Sequence, residues 1–581
     1  MELIKNILIR HENDLEQTNF LKTSKNRVIL KAPAGYGKTK VLISKIELII
    51  LKNELKSNKK ILALTYSVNE PKKMREEIKL NLCNDYIKKI DVSNYHGICS
   101  RILNLYGRYI DESLSEFSTL QRINESNLSI NNCSLLEEEI ELLKNMNNYI
   151  SNFDEIEYKN NKEKYINILL KLIKTDNMIT FNGIIFLTIK LLDIDSIKHF
   201  YTNYYKVIFI DEFQDTNILS YELLQKLIGE NTALYLIGDP IQKIYGFLGA
   251  IPSIFDICKN KYNMECIELK TNYRFSSNKN LLDLEKFIRC YFYNYSDSNN
   301  LVANLYHKRF TSEKEEIATI INRINKRDGI NNKVAILTRT QYNNDFILEY
   351  MDNNNIDYFY GFISDDEEIY KEFHQTCYRI YQNSTKNKIS INKKLLDKIY
   401  LDVISHYENI ELGNKDKKVI NSLNLLLNTF FESFNDNSNI NTSKERHDII
   451  EDIFINNNLK LYMDKINKNI TITTVHSSKG LEWDYVYLPN IYSFSFPTSK
   501  ALCSLCNKMR SNNKTKKNCE FKFDENLREK FLDELSVFYV AITRAKKEVY
   551  VSTNDTKNIY GYYKQNSCFL NFTNLNLLEW S

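Results

Sequence analysis

The chain has 581 residues, 43% hydrophobic and 26% charged, with 78 Lys and Arg against 74 Asp and Glu for a net charge of +4. That length suits about three to five domain-sized units, and the apolar fraction excludes wholesale disorder. No run approaches the ~18 uninterrupted apolar residues of a membrane span, and Met1 to Arg10 lacks the small-residue cleavage site of a secretory leader, so the expectation is a cytoplasmic protein with no membrane partner.

Arg27 to Lys31 (RVILK) is a β-branched run that stops at Ala32-Pro33-Ala34-Gly35-Tyr36-Gly37-Lys38-Thr39, and helical periodicity carries Thr39 to Leu51. Strand, glycine loop and helix form the context a phosphate-binding loop requires. Glycines let backbone N–H groups approach oxygens, Lys38 reaches the β- and γ-phosphates, and Thr39 offers a hydroxyl to Mg²⁺. Lys60 to Thr65 is a second strand and Glu70 to Leu80 a helix. Residues 107–176 read as helical, acidic around Glu137 to Glu141 and poor in strand signals.

Tyr205 to Ile210 (YKVIFI) feeds Asp211-Glu212-Phe213-Gln214-Asp215, 172 residues beyond Thr39. Asp211 supplies a carboxylate for Mg²⁺ and Glu212 one to orient water, so the pair of strings predicts nucleoside triphosphate hydrolysis. Gln214 and Asp215 narrow the class to nucleic-acid motors. Ala233 to Gly238 (ALYLIG) is another strand, ending at Asp239. Strand signals return at Lys333 to Leu337, Ile470 to Thr474, Tyr485 to Leu488 and Val549 to Val551, and predict a second parallel sheet. Residues 346–464 are largely helical, and 498–525 are polar and Lys-rich. Short apolar strands alternating with helices argue for α/β architecture with ligands beyond the carboxyl ends of the strands, where Thr39, Asp211 and Asp239 all fall.

Taken in order, the motifs from Gln17 to Lys546 resemble the UvrD/Rep-like superfamily 1A DNA helicases, a class of P-loop NTPases, over nearly the whole chain. Gln17 lies 21 residues before Lys38, the spacing at which that family reads adenine through an amide, which offers both a donor and an acceptor. Leu64-Thr65-Tyr66-Ser67 resembles the first DNA-contact motif, with Tyr66 at the base-stacking position. Asn94-Tyr95-His96 resembles the next, usually Thr-Phe-His; Asn94 can still hydrogen-bond a phosphate, His96 is a DNA contact, and Tyr95 is expected in the core.

The segment Gly238 to Ala250 resembles the motif coupling nucleotide to DNA: Gln242 senses the γ-phosphate, Tyr245 and Phe247 face single-stranded DNA, and Leu248 stands where the family has Arg. Asn272-Tyr273-Arg274-Phe275 resembles Asn-Tyr-Arg-Ser, which implies Tyr273 on adenine and Arg274 at the γ-phosphate from the second domain. Thr474 to Trp483 matches the late motif, with His476 and Lys479 on DNA and Glu482 on the ribose, and Tyr539 to Lys546 the last, with Arg544 a second γ-phosphate arginine.

The resemblance implies two RecA-like parallel-sheet domains, each interrupted by a mainly helical insertion: the first domain over 1–106 and 177–250 with insertion 107–176, the second over 251–345 and 465–581 with insertion 346–464. It implies an ATP-dependent 3′-to-5′ helicase or translocase on single-stranded DNA, or on duplex with a 3′ single-stranded tail, in repair, replication restart or anti-phage defence. The catalytic set is then Lys38, Thr39, Asp211, Glu212, Gln242, Arg274 and Arg544. ATP is held by Gln17, Ala32, Pro33, Ala34, Gly35, Tyr36, Gly37, Lys38, Thr39, Lys40, Tyr273 and Glu482, and Mg²⁺ by Thr39 and Asp211. The alternative is a DNA-stimulated ATPase switch subunit that works with a separate nuclease and unwinds weakly alone; Leu248 motivates it.

The 11 cysteines, odd in number and scattered, fit reduced thiols. Cys503, Cys506 and Cys519 make three quarters of a zinc set, and with no fourth ligand in their insertion they are expected to be free thiols in a polar segment.

Overall fold

The computed structural model describes residues 2–580 apart from 53, 56–57, 66–69, 245–248, 294–300, 329–330, 342–344, 364–366, 386–389, 437–442, 456, 502–524, 558–560 and 562. The chain divides into two compact units, Met1–Arg274 and Phe275–Ser581.

Unit 1 is built on a six-stranded sheet. In chain order its strands are β1 (Arg27–Lys31), β2 (Lys60–Thr65), β3 (Ile90–Asn94), β6 (Tyr205–Ile210), β7 (Ala233–Gly238) and β8 (Glu265–Glu268), with β4 (Gln121–Ile123) and β5 (Met178–Thr180) forming a separate pair. The sheet order is β3-β2-β6-β7-β1-β8, and every neighbouring pair is parallel. Side chains alternate across a strand, so a strand covered on both faces must be apolar throughout. The central strands obey this. Ile29, Leu62, Leu64, Ile208, Ile210, Leu234 and Leu236 enter one core, and Val28, Leu30, Ile61, Ala63, Val207, Phe209, Tyr235 and Ile237 the other.

Three N-terminal helices serve the second core: α1 (Glu2–Ile9), α2 (Leu15–Lys22) and α3 (Lys38–Leu51). The Asp14 carboxylate caps α2 by accepting from the Gln17 backbone N–H at 2.8 Å. The segment expected as a helical insertion carries helices Glu137–Ser151 and Glu155–Asp176, but also β4, which pairs with β5.

Unit 2 holds a seven-stranded, all-parallel sheet of β9 (Ala303–Phe310), β10 (Val334–Thr338), β11 (Phe359–Tyr360), β12 (Ile470–Thr474), β13 (Trp483–Leu488), β14 (Ala545–Asn554) and β15 (Leu575–Leu578), in the order β11-β12-β10-β13-β14-β9-β15. Helices Glu368–Thr385, Lys393–Glu408, Asn414–Asp436 and Ser443–Ile455 make up most of the interruption between β11 and β12. Their apolar stripes share one core with β10 and β12 through Phe373, Tyr381, Leu423, Phe430, Ile336 and Ile472.

Two boundaries move from the sequence reading, and one insertion gains a strand. The second domain was expected from 251, yet helix Ile254–Tyr262 and β8 belong to the first unit, because β8 pairs with β1 as the sheet's last strand. The second insertion was expected from 346, yet β11 pairs with β12 and so keeps residues 359–360 in the sheet. The strand-poor 107–176 gains β4. Among the described residues no helix is long and apolar enough to cross a membrane.

Candidate functional site

At the carboxyl end of β1 the chain turns through Gly35 (φ +83°) and Gly37 (φ +78°), left-handed conformations that glycine adopts without a Cβ clash. Gly37 is the N-cap of α3, whose first residues are Lys38 and Thr39, so the loop's N–H groups and the positive end of a 14-residue helix face the same space. The loop is anchored to the sheet where the Ala32 N–H donates to the Gly238 carbonyl at 2.9 Å.

Two strands away, β6 delivers Asp211 and Glu212. Lys38 Nζ is paired with both carboxylates, 3.4 Å from Asp211 Oδ1 and closer still to Glu212. Burial pushes the Asp211 carboxyl above its usual range; Lys38 opposes that shift and Glu212 adds to it. Glu212 has φ +52°, a strained position for a non-glycine residue, and its N–H donates to Asp211 Oδ1 at 2.9 Å. Gln214 Nε2 donates to Glu212, and Gln214 Oε1 accepts from the Asp239 N–H at 3.1 Å. Gln242 Nε2 donates to Asp239 Oδ2 at 2.8 Å. A continuous set of bonds therefore joins Lys38, Glu212, Gln214, Asp239 and Gln242 across the ends of β1, β6 and β7.

The 272–274 segment lies on the glycine loop. Tyr273 N–H and Arg274 N–H donate to the Gly35 carbonyl at 2.8 and 3.3 Å, and Asn272 Nδ2 to the Ala34 carbonyl at 3.3 Å. A Cβ on Gly35 would meet Arg274 Cβ at 2.6 Å, so the approach requires glycine. The expectation that Arg274 comes from the second domain is corrected here: these backbone bonds hold it in unit 1. Tyr273 OH donates to Asp14 Oδ2 at 2.8 Å, and burial with this carboxylate pushes the phenol up to about 12. Gln17 is buried behind the loop and donates from Nε2 to the Tyr36 carbonyl at 3.2 Å. Lys40 follows in the first turn of α3, exposed.

Of the expected DNA contacts, Tyr66, Tyr245 and Phe247 lie outside the described residues, as do Leu248 and the three cysteines Cys503, Cys506 and Cys519. Asn94 ends β3 and caps the helix Tyr95–Tyr106, its Oδ1 accepting from the Gly97 N–H at 2.7 Å. Tyr95 is in the core. His96 meets Phe181 edge to face at 5.8 Å, and burial, with Arg122 nearby, takes its pKa down to about 4.

In unit 2 the turn after β12 is closed by Thr474 Oγ1, which accepts from the Ser477 N–H at 3.1 Å, and by Ser478 Oγ donating to the Val475 carbonyl at 2.6 Å. His476 and Lys479 on this turn are half-buried. Arg544 is buried. Its Nε donates to the Val540 carbonyl at 3.0 Å and Nη1 to the Leu481 carbonyl at 3.2 Å, tying the last motif to the turn that carries Glu482. Lys546 Nζ is 3.8 Å from Glu482 Oε2.

This arrangement agrees with sequence-wide comparison. A family model described as the UvrD/REP helicase N-terminal domain matches residues 13–263, and one for the UvrD-like helicase C-terminal domain matches 362–556. The chain belongs to the UvrD/Rep helicase family. It is thus an ATP-dependent DNA helicase of the UvrD type. It is 23% identical over 637 aligned residues to a probable DNA helicase II homolog of Mycoplasma genitalium, covering 96% of this chain and 87% of the relative. It is 24% identical over 663 to a probable DNA helicase II homolog of Rickettsia conorii, covering 95% and 94%. It is also 23% identical over 660 to the ATP-dependent DNA helicase PcrA of Staphylococcus epidermidis, covering 97% and 86%.

The helicase's donor set fits Mg²⁺. A Thr39 hydroxyl at the helix start and the buried Asp211 carboxylate are hard oxygen ligands of the kind that ion takes together with phosphate oxygens. Among the described residues no cluster of three His, Cys, Asp or Glu forms a separate metal site. Sequence reasoning gave no role to three residues of the helicase's nucleotide side. Asp14 was legible in principle, as an acidic residue three positions before Gln17 at a helix start. Ser44 and His11 had no sequence signal; His11 contacts both Gln17 and Ser44.

Proposed function

We propose that this helicase hydrolyses ATP with Mg²⁺ to move 3′-to-5′ along one DNA strand, displacing the complement of a duplex with a 3′ single-stranded tail. The observation that carries it is the joining of Lys38, Asp211 and Glu212 beside a loop with two left-handed glycines.

In this reading Lys38 binds the β- and γ-phosphates, and Thr39 and Asp211 would hold Mg²⁺, which would supply positive charge beside the phosphate oxygens. Glu212 orients the attacking water and takes its proton. Gln242 reports the γ-phosphate through Asp239 and Gln214. Arg274 and Arg544 contribute guanidinium charge at the γ-phosphate, a term worth on the order of 10³–10⁵ in rate. Gln17 and Tyr273 hold the adenine and Glu482 the ribose.

On the DNA side Tyr66, Tyr245 and Phe247 stack bases, each worth about 1–3 kcal/mol, and Asn94, His96, His476 and Lys479 contact the backbone. Since Asn94 also caps a helix and His96 is neutral, their contacts are hydrogen bonds, not ion pairs. Repair, replication restart or defence against phage is the proposed setting, in the cytoplasm, with a nuclease as a possible partner.

The test is ATP hydrolysis with and without single-stranded DNA, with Glu212→Gln as control, followed by strand displacement on 3′-tailed and 5′-tailed duplexes. Stimulated turnover lost in the control, with displacement of the 3′-tailed substrate alone, is expected. Stimulated turnover without displacement favours the switch-subunit reading that Leu248 motivates. No turnover in any condition overturns both.

A further inference from the structure

A buried imidazole stands behind Gln17. His11, Gln17 and Ser44 are all buried within unit 1. Gln17 Nε2 faces the Tyr36 carbonyl at 3.2 Å. A backbone carbonyl can only accept, so that contact decides which end of the amide is which and turns Oε1 towards His11 Nδ1, 2.5 Å away. An amide oxygen also only accepts, so Nδ1 carries the hydrogen. Burial lowers the His11 pKa, which keeps the ring neutral near pH 7 and leaves Nε2 an acceptor. The Ser44 hydroxyl, 2.9 Å from Nε2, is then the donor. The donors point one way from end to end: Ser44 on α3 to His11, His11 to Gln17, and Gln17 to the phosphate loop.

We infer that His11 is a positioning residue that locks the Gln17 amide in one orientation and thereby makes the site select adenine over guanine nucleotides. This rests on the reading of Gln17 as the base-recognising side chain. In the locked orientation Oε1 keeps one lone pair and Nε2 one hydrogen. Adenine presents an N6–H donor beside the N7 acceptor and complements both. Guanine presents O6 and N7, two acceptors, and sets O6 against Oε1. An amide free to turn over could rearrange its donors for guanine; one whose oxygen is held by an imidazole N–H cannot do so without losing that bond and the Tyr36 bond together. Gly37 leaves room for the amide at this spot, since a Cβ there would lie 2.9 Å from Gln17 Nε2.

The test measures dissociation constants of ADP and GDP for the full-length protein by calorimetry, with melting temperature as a check on folding. Wild type is expected to prefer ADP. His11→Gln puts its amide where Nε2 was and loses the Nδ1 donor, so the GDP/ADP ratio falls at least about tenfold. His11→Asn puts an N–H donor near the Nδ1 position and keeps the ratio within about threefold. Gln17→Ala abolishes the preference.

If Gln17→Ala abolishes it while His11→Gln leaves it intact, the inference about His11 is wrong and the base-reading assignment stands. If Gln17→Ala leaves it intact, the assignment and the inference fall together. Equal losses in His11→Asn and His11→Gln mark a merely structural histidine and overturn the inference. Should His11→Gln not fold, Ser44→Ala frees the ring to change tautomer and must lower the ratio by about threefold; an unchanged ratio refutes the lock.

Discussion

Removing the Lys38 amine tests the electrostatics of the site apart from catalysis. The Lys38, Asp211 and Glu212 side chains are 13%, 4% and 11% exposed, so Lys38→Ala leaves two adjacent carboxylates largely out of water. Breaking such a pair by deleting one partner costs about 3–5 kcal/mol, and the lower end applies because Glu212 keeps some water. At about 2 °C per kcal/mol for a unit of this size, the unit 1 melting transition of nucleotide-free protein should fall by roughly 6 °C at about pH 8.

The sign with pH follows from Asp211. Its folded pKa is raised, so its contribution to stability is fully present below the unfolded pKa and is lost as pH rises through the folded one. Deleting Lys38 removes the influence that pulls that pKa down, so the window widens upward and the deficit is larger at about pH 8 than at about pH 5, by up to about 1.4 kcal/mol per pH unit within the window. The double change Lys38→Ala with Glu212→Gln should recover most of the loss, because one of the two adjacent buried negative charges is gone. Circular dichroism melts at the two pH values measure this. A Lys38→Ala protein that melts no lower than wild type at about pH 8, or a deficit that grows on acidification, refutes the reasoning.

Other expectations follow from single contacts. Gly37→Ala meets both a left-handed backbone and Gln17 Nε2; a loss of about 1–2 kcal/mol in unit 1 stability, with weakened ADP binding, is expected in melts and titrations. Arg339→Ala strips the largely buried Glu534 of a two-point ion pair and should cost about 3–5 kcal/mol in unit 2, partly restored by adding Glu534→Gln; equal melting of single and double variants counts against the pair. His96 has its folded pKa depressed to about 4, so its stability contribution is present above the unfolded value of 6.5 and is lost as pH falls towards 4; His96→Gln should flatten the acid limb of the unit 1 melting profile over that range. DNA affinity should drop steeply with salt, and Lys479→Ala should lower the log–log slope by about 0.7 if that amine neutralises a phosphate of a single strand.

The interior of the unit 1 sheet was readable because RVILK, YKVIFI and ALYLIG bury most of their residues on both faces and are largely apolar. The strands that escaped notice lie at or near edges or are minimal. β8 reads ECIE and is largely exposed, β3 reads IDVSN, and β11 has two residues. The expected boundary at 251 falls before β8, whereas β8 pairs with β1 and the first unit runs on to Arg274. The phosphate-loop and carboxylate strings were legible because their spacing from strand ends is dictated by the chemistry they serve. His11 was not, because its contacts to Gln17 and Ser44 come from the packing of the chain before α2 against α3, which no local pattern encodes.

The wholly parallel sheet of unit 1 also dictates an order of events during synthesis. β1 ends at Lys31, but both strands that bond to it lie far downstream: β7 begins at Ala233 and β8 at Glu265. At about 5–20 residues per second, a ribosome takes roughly 10–40 s to make the intervening chain. Throughout that interval the segment RVILK, whose Val28, Ile29 and Leu30 are buried in the finished sheet, lacks both strands that pair with it. The nascent helicase therefore passes through a long stage in which its nucleotide-loop strand can aggregate, and shielding by a chaperone would matter most before residue 238 emerges.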